Sequence, residues 1–192
     1  MEYAKAIDNM DAVIIRGSGT VEGANARGLY RAECYGVDGK LKWSDDFKNV
    51  VMNVGKNLML DSTLATAVTV VGPYLGLIGA SSFSTIGTVV DTMASHAGWL
   101  EAGGTTVPLF TGSRQTCVWS AASSGAKALS AALSFAITTG GVAKGCFIVT
   151  GPNATTVCEA TTGTLLSAGL FTGGDKTLAA SDTLQVSYTL TL

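Results

Sequence analysis

Charge, proline, histidine and cysteine are all scarce in this chain of 192 residues, and each scarcity removes a class of protein. Only 14% of the residues are charged and 3 are proline, while 47% are hydrophobic. A chain so composed has the apolar surface needed to collapse, so intrinsic disorder is excluded, and so is a coiled coil. The 24 glycines follow no sustained period, which excludes collagen. A net charge of −2 with a pI near 5.3 leaves no global basic field, so neither nucleic acid nor an anionic membrane is an expected partner. With one histidine, the chain cannot assemble a centre that needs several imidazoles. The four cysteines, Cys34, Cys117, Cys146 and Cys158, show no CxxC spacing and lie far from His96 in sequence. A zinc site is therefore not expected, and no cofactor is. Four cysteines permit three disulfide connectivities, but a chain this long needs no staples, and free buried thiols in a reducing cytoplasm are the expectation.

Uninterrupted hydrophobic runs are missing too. The longest uncharged stretch, 62–90, is broken by Gly72-Pro73, Gly76, Gly79 and Gly87 and laced with Ser and Thr. It reads as buried strands joined by turns, not as a transmembrane helix. Glu2, Asp8 and Asp11 precede any apolar run, which is the wrong order for a signal peptide.

The chain length fits a single domain that buries about 70% of its extended surface. Its charges are unevenly placed. Residues 1–101 hold 8 basic and 11 acidic side chains, whereas 102–192 hold Arg114, Lys127, Lys144 and Lys176 against Glu159, Asp175 and Asp182. Small uncharged side chains over so long a stretch point to surfaces that meet other protein, because unpaired charge is costly at an interface core. Residues 1–27 form an arm: the apolar run Ala12-Val-Ile-Ile15 followed by a glycine-rich linker from Gly17 to Gly28. Such an arm either packs on its own domain or reaches a neighbouring subunit.

Residues 28–192 read as one β-sandwich domain. Leu29, Arg31, Glu33 and Tyr35 alternate with Tyr30, Ala32 and Cys34, an Asp38-Gly39 turn follows, and 41–43 starts back: a β-hairpin. A short strand is expected at 49–54 and a helix over 56–66. Further strands are predicted at 73–78, 107–110, 114–119, 128–137, 142–150, 164–170 and 183–192. The clearest are 129–137, with Leu129, Ala131, Leu133, Phe135 and Ile137 on one face, and 184–192, with Leu184, Val186, Tyr188, Leu190 and Leu192 facing inward. The predicted fold class is all-β with one short helix, an antiparallel β-sandwich of jelly-roll-like form. No βαβ alternation and no internal repeat is visible.

Candidate chemistry is thin. His96 follows Ser95, but no G-x-S-x-G motif places a nucleophile, and the pattern reads as a loop histidine bonded to backbone ahead of a buried Trp99. Carboxylate pairs at Asp8/Asp11, Asp45/Asp46 and Asp91/Glu101 could do acid–base work only if the fold gathered them in a cleft. Asp45-Asp46 reads as a solvated turn. The glycine-rich 17–23 stretch lacks the G-K-[ST] ending of a phosphate loop. Arg27, Arg31, Lys40, Lys42, Lys48 and Lys56, interleaved with Tyr30, Tyr35 and Trp43, are offset by Glu33, Asp38, Asp45 and Asp46 and read as a mixed-sign solvated face.

Taken in order, Tyr74-Leu-Gly-Leu-Ile78, Asp91-Thr-Met-Ala-Ser-His-Ala-Gly-Trp-Leu-Glu101, Ser113-Arg114, Val118-Trp119-Ser120, Val142-Ala-Lys-Gly-Cys-Phe147, Leu166-Ser-Ala-Gly-Leu-Phe171 and Asp182-Thr-Leu-Gln-Val-Ser-Tyr188 form a succession of strand and turn signatures. With 28–60 included, this succession over 28–192 resembles small virion structural proteins of tailed bacteriophages. The resemblance implies a head decoration or cement protein on the capsid exterior, synthesised in the host cytoplasm. Its implied partners are the major capsid protein and other copies of itself as a homo-oligomer, and it carries over no catalytic residue. The candidate interface residues are Val13, Ile14 and Ile15 of the arm with Trp99 and Trp119. The alternative is a tail, neck or fibre component with an adhesin-like domain whose exposed rings stack on sugars. A third class, a small enzyme on a jelly-roll scaffold, has too few histidines to build its usual metal site.

Overall fold

The computed structural model describes residues 26–64, 68–81 and 89–192. The alternating stretch after Ala26 forms strand β1 (Arg27–Tyr35), with every second side chain buried, and returns through a tight turn to β2 (Leu41–Lys48). Gly39 sits at φ 74°, a conformation glycine adopts without strain, and Gly36 and Lys40 close the turn by a backbone hydrogen bond of 2.9 Å. Then come β3 (Val50–Val51), α1 (Asn53–Leu64), β4 (Val71–Ser81) and β5 (Trp99–Glu101). Four short strands follow: β6 (Leu109–Phe110), β7 (Gln115–Thr116), β8 (Ala126–Ala128) and β9 (Leu133–Thr139). The chain ends with β10 (Gly141–Ala143), β11 (Gly145–Gly151), β12 (Thr164–Leu170), β13 (Lys176–Leu178) and β14 (Thr183–Thr191).

Among the described residues all pairings are antiparallel. One sheet runs β2-β1-β14-β9-β6, with β8 beside the C-terminal part of β14. The other runs β3-β12-β11-β4-β5, with β7 on β4, and β10 and β13 form a separate ribbon. The β-sandwich is the level at which expectation and structure agree. Tyr30, Phe47, Phe135 and Val186 of the first sheet share a core with Leu75, Leu77, Cys146, Ile148 and Leu166 of the second. A second core lies on the far side of the second sheet, where Phe147, Val149, Leu165 and Ile78 meet Met52, Met93 and Trp99. The second sheet is thus covered on both faces, which is why β11 reads Gly-Cys-Phe-Ile-Val-Thr-Gly and is buried at every position.

Several boundaries differ from those the sequence predicts. Helix α1 begins three residues early, because the Asn53 N–H bonds to Val89 O at 2.8 Å and the Lys56 N–H to Met52 O at 2.9 Å. Gly55 lies inside the helix, where a Cβ would stand 2.7 Å from the Leu166 carbonyl oxygen, so its bareness is what lets the helix lie on β12. The expected 128–137 strand is two strands, interrupted where the Leu129 N–H bonds to Tyr188 O and the Ser130 N–H to Val118 O; Ala131 is exposed. The 142–150 strand likewise divides at Lys144, β10 pairing with β13 and β11 with β4 and β12.

A polar link crosses the apolar core between the sheets. The Tyr30 hydroxyl on β1 lies 2.9 Å from Ser167 Oγ on β12, and Asn49 Nδ2 donates to the Tyr188 hydroxyl at 2.9 Å. Buried hydroxyls are costly when unpaired, so the link favours one register between the sheets. Ser167→Ala is expected to cost about 1–3 kcal/mol in chemical denaturation, and Ser167→Ala with Tyr30→Phe clearly less than the sum of the two. Additive losses would mean that the hydroxyls do not act together.

Candidate functional site

His96 is where the sequence places it. Its Nδ1 lies 3.1 Å from the Trp99 carbonyl oxygen and its ring stacks on the Trp99 indole at 3.8 Å, in a loop whose Ser95 N–H is bonded to Thr92 Oγ1. Asp45 and Asp46 do not form a solvated turn: both lie within β2. Asp45 is 9% exposed, pairs with Lys176 at 3.0 Å and accepts the Gly173 N–H, whereas Asp46 faces outward near Arg31. The strand continues past Trp43 because β1 offers it partners as far as Lys48. Asp91 and Glu101 form no acid–base couple, since both Glu101 oxygens are held by Arg114; Asp91 is buried, with its Oδ2 unbonded. Asp8 and Asp11 lie outside the described residues. Among the described residues no three His, Cys, Asp or Glu side chains stand where they could hold a metal ion together.

The interface candidates separate in the same way. Trp99 is 2% exposed, sealed between His96 and Phe147, and offers no free ring to a sugar or a partner. Trp99 opens β5, which pairs with β4 and turns the indole into the second core, so the burial expected from the sequence holds and the interface role does not. Trp119 is half-buried with its edge toward Tyr188. Val13, Ile14 and Ile15 lie outside the described residues.

The structure instead singles out how the C-terminal half disposes of its charges. Arg114 is fully buried on Glu101, its Nε and Nη2 donating at 2.8 and 2.7 Å to the two carboxylate oxygens. Nη1 and Nη2 also donate to the Thr155 and Ala160 carbonyls, and the guanidinium lies 5.4 Å from the Phe147 ring centroid. Lys144 pairs with Asp175 at 2.6 Å, and Lys176 reaches inward to Asp45 and over the Trp43 ring. Asp182 is buried and accepts from Lys42 Nζ at 2.6 Å and from the Ala179 N–H at 2.8 Å. Glu159 Oε1 accepts from the Thr105 N–H and hydroxyl, and Lys127 donates to the Ser120 carbonyl. All seven charged side chains of 102–192 are thereby engaged with the protein itself. Arg114 and Asp182 are buried and Lys144 and Lys176 half-buried, while Lys127, Glu159 and Asp175 are bonded but exposed; the other outward groups of this half are uncharged, as at Ser120 to Gly125, Val107, Val118 and Val157.

The four cysteines are free thiols. Burial pushes Cys34 and Cys158 up to about 11, Cys117 up to about 12, and Cys146 up as well. Thiolate, the form that attacks carbonyls and binds metals, is therefore suppressed at all four near neutral pH. Among the described residues no helix is long and apolar enough to cross a membrane. No protein-family model, curated protein or solved structure matches this chain.

Arg114→Leu leaves the Glu101 carboxylate buried without its partner and is expected to cost about 3–5 kcal/mol in urea denaturation. Joining Glu101→Leu to it should return part of that loss; a loss below about 1 kcal/mol for Arg114→Leu alone would mean that the pair is exposed in solution. Burial by itself raises the Asp182 carboxyl, but hydrogen bonds from Lys42 and the Ala179 N–H outweigh burial and hold it below its ordinary 3.8. The stability this depressed carboxyl contributes is complete above that ordinary value and is lost as the pH falls through the folded one. Denaturation midpoints followed down from pH 5 should decline less steeply for Asp182→Asn than for the parent chain.

Proposed function

We propose that this chain is a non-enzymatic virion structural protein of a tailed bacteriophage: a decoration, or cement, protein that binds the outside of the assembled capsid and bridges major capsid subunits. The observation that carries the reading is the engagement of every charge of 102–192 with the fold itself. A surface whose few outward charges are already bonded to the fold, and whose other outward groups are small hydroxyls and aliphatics, can be covered by another protein with few charges stranded, which is what an interface core requires. Its resemblance over 28–192 to small virion structural proteins points the same way.

The physical logic of a cement protein suits such a face. A shell filled with packed DNA is under outward load, and a ligand that binds only the assembled lattice stabilises that lattice by mass action. Weak contacts repeated over many lattice positions then add up without any single strong site. In this reading the partners are the major capsid protein and neighbouring copies of the chain, and the sandwich with its interlocked charges is a stiff block between them.

The deciding experiment is quantitative mass spectrometry of purified virions, counting copies of this chain against the major capsid protein. A ratio near one, or a simple fraction set by the lattice, is expected. A few copies per particle would replace the reading with a tail, neck or fibre role, and absence from the particle would overturn it.

A further inference from the structure

Helix α1 carries two apolar stripes. One, through Val54, Gly55 and Leu58, meets the second sheet, Gly55 lying on the Leu166 backbone and Leu58 beside Gly151. The other faces away from the sheet: Leu60 and Leu64, one turn apart, are 58% and 81% exposed, and Leu192 beside them is 64% exposed. Together with Met59, Lys56 and Ala26 they line a groove of about 480 Å³.

Ala26 is the point at which the described chain begins, so the 25 residues before it join the body at the wall of this groove. Those residues contain one strongly apolar run, Ala12-Val-Ile-Ile15, with Asp11 before it and Arg16 after it. Ten residues, 16–25, separate the run from Ala26, and Gly17, Gly19 and Gly23 among them permit a reversal of direction. At about 3.3 Å per residue this tether spans up to roughly 36 Å, twice the ~18 Å length of a 12-residue helix.

We propose that the run 12–15 of the same chain seats in the groove between Leu60, Leu64 and Leu192. The order acid, apolar run, base over 11–16 matches the order Lys56, Leu60, Asp61 along the helix, and among the described residues neither Lys56 nor Asp61 is in an ion pair. The occupant is the chain's own arm because a short tether holds the run at a local concentration in the millimolar range, above that of a second copy in ordinary solution. The inference concerns the free protein and does not rest on the capsid reading.

Hydrogen–deuterium exchange of the full-length chain tests it, comparing the parent with Ile14→Asp/Ile15→Asp, a variant that alters no residue of the described fold. Amides of 57–64 should exchange at least tenfold faster in the variant, those of β11 should not change, and both chains should sediment with the same mass. The reciprocal variant Leu60→Lys/Leu64→Lys, on exposed positions, should speed exchange at 12–16 by a similar factor. Unchanged exchange at 57–64 would overturn the proposal, and so would faster exchange accompanied by a halved sedimenting mass, which would assign the groove to the arm of a second copy.

Discussion

The buried pair between Arg114 and Glu101 organises the part of this protein that regular secondary structure does not. Strands β5, β6 and β7 have two or three residues each, and the stretches 102–108 and 152–163 are loops with few ladder bonds of their own. Arg114 gathers them: it clasps β5 through Glu101, fixes 155–160 by donating to the Thr155 and Ala160 carbonyls, and rests on Phe147 of the central strand β11. Glu101 completes the closure by accepting the Glu159 N–H at 2.7 Å. Taking both charges out of water is expensive, and the arrangement is tolerable because the bidentate geometry and the extra carbonyl acceptors replace nearly all the solvation lost.

With those loops held down, the second sheet acquires a roof. Trp99, Met93 and Met52 cover the face that a two-layer sandwich would leave to solvent, and α1 lies close on β12 through Gly55. The molecule has three layers, and its most apolar strands are the central ones of the doubly covered sheet. The Tyr30–Ser167 link then joins that sheet to the first across the other core. Burial on both faces at once makes this sheet the rigid reference against which the edge elements are placed.

Charge economy inside has a counterpart outside. In a chain with few charged residues, each charge used to tie a loop or strand into the body is one that does not stand unpaired in water. The C-terminal half bonds all seven of its charges to the fold, Lys127, Glu159 and Asp175 while they remain exposed, and the rest of its exterior is a surface of hydroxyl, methyl and backbone groups. The N-terminal half keeps ordinary exposed charges on the hairpin, at Arg31, Lys40 and Asp46. The hairpin thus presents charges of both signs close together to a neighbour, whereas the C-terminal half presents few charges, each bonded to the fold, among small uncharged groups.

Local pattern determined a good deal. The period-two alternation of β1 and β14, the Asp38-Gly39 turn, helix α1, the loop histidine ahead of Trp99 and the antiparallel pairing of the described strands follow from side-chain periodicity and turn chemistry, which act over a few residues. Tertiary structure decided everything that depends on which strand a segment lies beside. Whether 128–137 and 142–150 are one strand or two was set by the separate partners that β8, β9, β10 and β11 find, and nothing within those stretches encodes the switch. Asp45 resembles a turn residue until Lys176, 131 positions away, is brought beside it. Trp99, expected to be buried, joined the second core rather than the first because its loop folds over the second sheet, and Arg114 and Glu101 became a pair because β5 and the following loop converge on Phe147. A charge in a sequence carries no mark of whether it will face water; that is settled by the distant groups that replace its hydration, and only the folded chain assembles them.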